Sequence, residues 1–93
     1  MIRIVKLTFQ PQNISNFLQE FKERKYLIET FEGCQSVTLL RDIYNSNVFF
    51  TYSIWANESN LEAYRKSALF GTVWKTVKVW FSAKAEAWSV EEI

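Results

Sequence analysis

The chain has 93 residues, of which 48% are hydrophobic and 17% aromatic, and its formal net charge is +1. That length sets a single domain over residues 1–93, and mixed charge, with the basic pairs Arg24-Lys25 and Arg65-Lys66 set among acids, leaves no positive stripe for nucleic acid. No uncharged run approaches the roughly 20 apolar residues that cross a bilayer, charges interrupt the N-terminal stretch where a signal peptide would be apolar, and the single cysteine, Cys34, forms no internal disulfide, so a cytoplasmic protein with no membrane partner is expected.

Residues 2–9 alternate, with Val5, Leu7 and Phe9 on one side and Lys6 and Thr8 on the other, the period of a strand. Ile2 and Ile4 share the face of Lys6, so the strand is expected to open apolar on both sides. Pro11 opens a helix over about 12–31, near whose start Asn13 is placed to cap, with Ile14, Phe17, Leu18, Phe21 and Ile28 on one face. Gly33 suits the left-handed cap at its end. Lys25 falls inside the apolar stripe, where it could aim its ammonium at an anionic ligand, set against the plainer reading that it reaches water or pairs with an acid. A second strand follows over about 35–41, and Asn45-Ser46-Asn47 supplies turn chemistry. The third strand, from Val48 to Ala56, carries no charge: Phe50, Tyr52 and Ile54 lie on one face, Phe49 and Trp55 on the other. A strand without charge on either face is usually covered on both.

Asn57 or Ser59 caps a short helix through Leu61, Ala63 and Tyr64, and Ser67 caps another over about 68–81. On the latter, Phe70, Val73, Trp74, Val77, Trp80 and Phe81 form one apolar face. A last strand over about 83–90 interleaves Ala85 and Ala87 with Glu86 and Trp88. The order β-α-β-β-α-β is the split pattern of an α+β, ferredoxin-like fold, with helices on one face of an antiparallel sheet. Nothing in so short a chain remains to cover the second face, so a homodimer with facing sheets is expected.

The stretch Glu32-Gly33-Cys34-Gln35-Ser36-Val37-Thr38-Leu39-Leu40-Arg41-Asp42 resembles the second-strand signature of the antibiotic biosynthesis monooxygenase (ABM) family. Phe50 to Tyr64, with Trp55, Glu58, Leu61 and Ala63, looks like its third strand and following helix, and Ser67-Ala-Leu-Phe70 with Trp74, Lys78 and Trp80-Phe81 is similar to its last helix. The resemblance implies a dimeric α/β barrel with a ligand cavity in each subunit between sheet and helices. Some members oxidise quinols or polycyclic phenols with molecular oxygen and no cofactor, and some relatives bind and degrade haem through a histidine ligand. Many members carry a histidine where this chain has Tyr64, and this chain has no histidine at all. Haem degradation of that type does not fit it.

Without histidine there is no Ser/His or Cys/His pair, and one cysteine with scattered acids makes no ligand set for zinc or iron. Cofactor-free oxygenation of a small aromatic or quinol asks only for an apolar pocket and groups that share a phenolic proton. Phe50, Tyr52, Trp55, Tyr64, Phe70 and Trp74 are the candidate lining, set against the plainer reading of core and dimer interface. Tyr52 and Tyr64 bring hydroxyls that a ligand, the backbone or the surface would satisfy. Cys34 reads as a small buried residue. The alternative to an enzyme is a non-catalytic, ligand-binding or structural homodimer.

Overall fold

A computed structural model describes residues 1–93. Strand β1 (Ile2–Thr8) pairs antiparallel with both β3 (Val48–Trp55) and β4 (Glu86–Val90), and β2 (Cys34–Arg41) pairs antiparallel with β3. The four-stranded sheet has the order β2-β3-β1-β4. Helices α1 (Ile14–Glu29), α2 (Glu58–Arg65) and α3 (Ala68–Val77) pack on one face, which completes an α+β, ferredoxin-like fold.

Strand parity decides what is buried. Leu7 and Phe9 from the first strand, Val37 from β2, and Phe49, Ser53 and Trp55 from β3 all point to the helices and are buried. They form two separate cores. One gathers Leu7, Phe9, Phe17, Phe49 and Val77; the other gathers Ile28, Val37, Trp55, Leu61 and Tyr64. Phe9 is fully buried and stacks on Phe17 with ring centroids 4.2 Å apart. The opposite face carries Ile2, Ile4, Leu40, Phe50, Tyr52, Ile54, Trp88 and Val90 in register, with Ile4 opposite both Tyr52 and Trp88. No element of the chain covers that face, and Leu40, Trp88 and Val90 remain 46%, 44% and 42% exposed.

The helix ends follow local chemistry, with some departures from expectation. The Asn57 Oδ1 accepts the Asn60 N–H at 3.0 Å to start α2, and the Ser67 Oγ accepts the Phe70 N–H at 3.1 Å to start α3, both as expected. Asn13 does not cap. A 3-10 turn over Pro11–Asn13 leads into α1, and the Asn13 amide bonds Asn16 instead. The apolar face of α3 continues past Val77 only as a 3-10 turn, Lys78–Trp80, and the last strand is shorter than the alternation suggests. Gly33 does not terminate α1, whose C-cap is Thr30 in ordinary right-handed geometry. It takes φ +86° in the turn into β2, where its carbonyl accepts the Ala56 N–H at 2.7 Å. A Cβ there would run into the side chain of Asn60.

Gly33→Ala is therefore expected to lower stability by about 1–3 kcal/mol through backbone strain and this clash. Phe9→Ala is expected to cost about 3–5 kcal/mol as a fully buried ring is lost. Urea denaturation midpoints at constant slope would read both, and an unchanged midpoint for either would contradict the packing described.

Candidate functional site

Along the inner face of β3 the order is Phe49, Thr51, Ser53, Trp55. The end residues are large and belong to different cores, while the two between them are small. That gap, roofed by the helices, is a cavity of about 380 Å³, toward the small end of the roughly 300–1,000 Å³ typical of ligand sites. Fifteen of its 19 lining residues are hydrophobic. Val5, Ala85 and Ala87 form part of the sheet-side wall; Phe17, Phe21 and Ile28 come from α1, and Tyr64, Phe70, Val73 and Trp74 from the other helices.

One wall is a continuous aromatic series. Trp55 and Tyr64 have centroids 5.2 Å apart, Tyr64 meets Phe70 edge-on at 5.3 Å, and Phe70 stacks on Trp74 at 5.8 Å with the rings 13° from parallel. The Tyr64–Phe70 and Phe70–Trp74 contacts are of the edge-to-face and offset types that aromatic quadrupoles favour, while the Trp55 and Tyr64 rings are tilted 32° from parallel. The Trp55 indole N–H donates to the Ser53 hydroxyl at 3.0 Å, and that hydroxyl donates to the Arg3 carbonyl at 3.4 Å. Tyr64 lines the cavity, and its hydroxyl makes no hydrogen bond within the chain.

The ionisable groups of the lining are Arg3, Arg65 and Tyr64; no carboxylate lies there. Arg65 Nη1 is 2.8 Å from Glu62 Oε1, a pair at the rim. Arg3 Nη1 donates to the Ser89 Oγ at 3.0 Å. Burial, and then the nearby Arg65 charge, hold the Arg3 pKa below its ordinary value, with Glu62 acting against them. The Tyr64 pKa is pushed up to about 12, first by burial and then by Cys34. Tyr64 is therefore a hydrogen-bond donor at neutral pH and not a base.

The family description of the antibiotic biosynthesis monooxygenases matches residues 1–76 of the chain. It belongs to that family. Solved ABM-like structures superimpose on nearly all of this member. A Bordetella bronchiseptica protein bearing the antibiotic biosynthesis monooxygenase name is 22% identical, covers 99% of this chain and 95% of its own, and has a TM-score of 0.90. Rv0793 from Mycobacterium tuberculosis is 12% identical with a TM-score of 0.89, over 99% of this chain and 93% of its own. A conserved protein from Methanosarcina mazei Go1 is 20% identical with a TM-score of 0.86, over 92% and 86%. Identities this low establish the fold and nothing finer. No curated protein matches this ABM chain.

Of the expected lining, this ABM domain brings Trp55, Tyr64, Phe70 and Trp74 together at the cavity. Phe50 and Tyr52 are a correction: they point to the opposite sheet face, because a strand alternates and Phe49, Thr51, Ser53 and Trp55 take the inner positions. Lys25 and Asn13 do not reach the cavity, nor does Cys34, whose thiol pKa is raised chiefly by burial. Arg3, Arg65, Thr51 and Ser53 escape a reading that looks for aromatics. Arg3 had a signal: stepping back two residues from Val5 places it on the inner face, so the first strand is not apolar on both sides.

The chain has four tyrosines. In an absorbance titration of the phenolates, Tyr64 should ionise near pH 12, and Tyr64→Phe should remove that step. Because the unfolded chain gives up this proton near pH 10 and the folded one holds it to about 12, stability should be fully present below pH 10 and decline between those values. A Tyr64 that titrates with the other tyrosines would show that it is not buried as described.

Proposed function

We propose that the protein is a cofactor-independent monooxygenase of the ABM type, acting on a small aromatic or quinol-type substrate in the cavity of each subunit of a homodimer. The observation that supports it is the pairing of a family-matched fold with an apolar cavity whose polar groups are guanidinium and hydroxyl donors. Such donors favour a phenolate over its phenol, since nearby positive charge and hydrogen bonds both stabilise the anion. The proton leaves to water, because no base lines the cavity. An electron-rich phenolate then reduces oxygen itself: a C–O bond forms at the activated ring carbon, the O–O bond breaks, and the second oxygen atom leaves as water with both hydrogens of that carbon. A ring methylene and O₂ give a ring carbonyl and water, with no outside reductant.

The test is oxygen consumption with a panel of hydroquinones and anthrone-type phenols, with isotopic oxygen followed into the product. Saturable uptake above a heat-treated control is expected. Tyr64→Phe should lower kcat by about tenfold or more while stability moves by less than about 1 kcal/mol, since the lost hydroxyl has no protein partner. Absence of uptake across the panel would overturn the enzymatic reading. A second reading, a non-catalytic binding dimer, is favoured by the lack of any acid–base residue in the lining; it predicts ligand binding without oxygen consumption.

The outer sheet face is the proposed dimer contact. It is broad and mostly apolar, with the Lys6–Glu86 ion pair beside Phe50, and pairing two copies would bury on the order of 2,000 Å² or more. Light scattering should give twice the chain mass of 11.0 kDa. Phe50→Lys, on that face, should yield a folded monomer, whereas Phe49→Lys, at 2% exposure in the core, should not fold. A wild-type protein that is monomeric at micromolar concentration would end this proposal.

A further inference from the structure

We infer that Ser53 is a positioning residue of the cavity: its hydroxyl holds the Trp55 indole with the N–H edge over the cavity floor and so sets the wall that a ligand meets. The inference rests on reading the cavity as a ligand site and specifies what keeps it open.

Among the buried residues Ser53 alone is neither aliphatic nor aromatic. It sits on the inner face of β3, opposite Arg3 and two residues before Trp55, and both Ser53 and Trp55 line the cavity. Trp55 is 1% exposed, so its indole N–H is shut away from bulk water and needs an acceptor within the chain. Ser53 Oγ supplies it at 3.0 Å. The same hydroxyl donates to the Arg3 backbone carbonyl at 3.4 Å, on the neighbouring strand. A hydroxyl carries one donor and two acceptor sites; here the donor is spent on the backbone and an acceptor on the indole. Ser53 thereby ties the indole to the β1–β3 ladder.

The aromatic contacts alone do not choose the orientation of the ring. Tyr64 lies 5.2 Å from the indole with the planes 32° apart, and Phe31 meets it edge-on at 6.5 Å. Half a turn about the Cβ–Cγ bond of Trp55 nearly preserves the ring plane, and so preserves much of both contacts. It does not preserve the hydrogen bond. The turn exchanges the two edges of the indole: the N–H edge leaves Ser53, and the larger six-membered ring takes its place. Side chains two apart on a strand share one face, so that ring would lie over Ser53 and toward Thr51, the two small residues that leave the space. The Ser53 bond therefore keeps the bulkier edge out of the cavity. It also commits the indole N–H, so a ligand meets Trp55 as a flat apolar surface and not as a donor.

The experiment uses the full chain with isotope-labelled tryptophan, followed by magnetic resonance, and naphthol as a binding probe read by calorimetry. The chain has four tryptophans, and Trp55→Phe identifies the Trp55 indole signal. In the wild type that N–H should exchange with deuterium more slowly than the indole of Trp88, which is 44% exposed. Ser53→Ala should shift the Trp55 signal, speed its exchange and weaken naphthol binding about tenfold or more, whereas Ser53→Thr, which keeps the hydroxyl, should bind within about threefold of the wild type. A role confined to folding would lower the stability of Ser53→Ala and leave signal and affinity in the folded variant unchanged. That result, or an equal loss of naphthol binding in Ser53→Ala and Ser53→Thr, would overturn the inference. Should the variants fail to fold, the wild type decides: a Trp55 indole that exchanges as fast as Trp88 would equally overturn it. Failure of naphthol to bind the wild type would overturn the cavity as a ligand site, while the indole signal and its exchange would still decide whether Ser53 holds the ring.

Discussion

The arrangement depends on four alternate positions of one central strand. Phe49 and Trp55 each seed a core, and Thr51 and Ser53 between them are too small to join the two. A leucine or phenylalanine at either position would project into that space and reduce it. The cavity is thus a consequence of side-chain volume at two positions, and the surrounding fold only has to span it. The two cores hold the two ends of the cavity and meet through Phe21 and the stacked Phe70–Trp74 pair.

The same strand sets the second surface. Its other parity, Val48, Phe50, Tyr52 and Ile54, faces away from the helices beside Ile2, Ile4 and Leu40. Because strand side chains alternate without exception along a regular stretch, a one-residue slip would send Phe50 and Tyr52 inward and expel Trp55 and Ser53. Site and outer face are therefore fixed by a single register. The register is held by the unbroken pairing of β3 with β1, by its pairing with β2, whose register shifts once between Cys34 and Ser36, and by Gly33, whose carbonyl bonds the residue just after Trp55 and whose bare Cα lets Asn60 approach.

Much of this was legible in the sequence. The element order, the caps at Asn57 and Ser67 and the charge-free strand all announce themselves through period and residue type, because they depend on neighbours in the chain. The aromatics on the last two helices were legible as pocket candidates for the same reason. Two things were not. Both faces of β3 are aromatic, so alternation separates Phe50 and Tyr52 from Trp55 without saying which set meets the helices; only packing against α1 and the later helices settles that. The role of Arg3 was hidden by its position. Near a strand's start a charged residue usually reaches water, and the cue to the contrary is its parity with Val5, Leu7 and Phe9.

That arginine also explains how a lining without histidine or carboxylate remains chemically coherent. A carboxylate base in the lining would carry negative charge and would compete with an anionic ligand for Arg3. Without one, the positive potential is directed wholly at whatever enters, and the burden of acidity moves to the ligand. Tyr64 fits the same logic. With its pKa pushed up to about 12 it stays a neutral donor, adding a hydrogen bond to an anion without adding charge of its own. Under the proposed function, such a lining would stabilise negative charge and not generate it by proton abstraction, and the substrate would supply its own acidity.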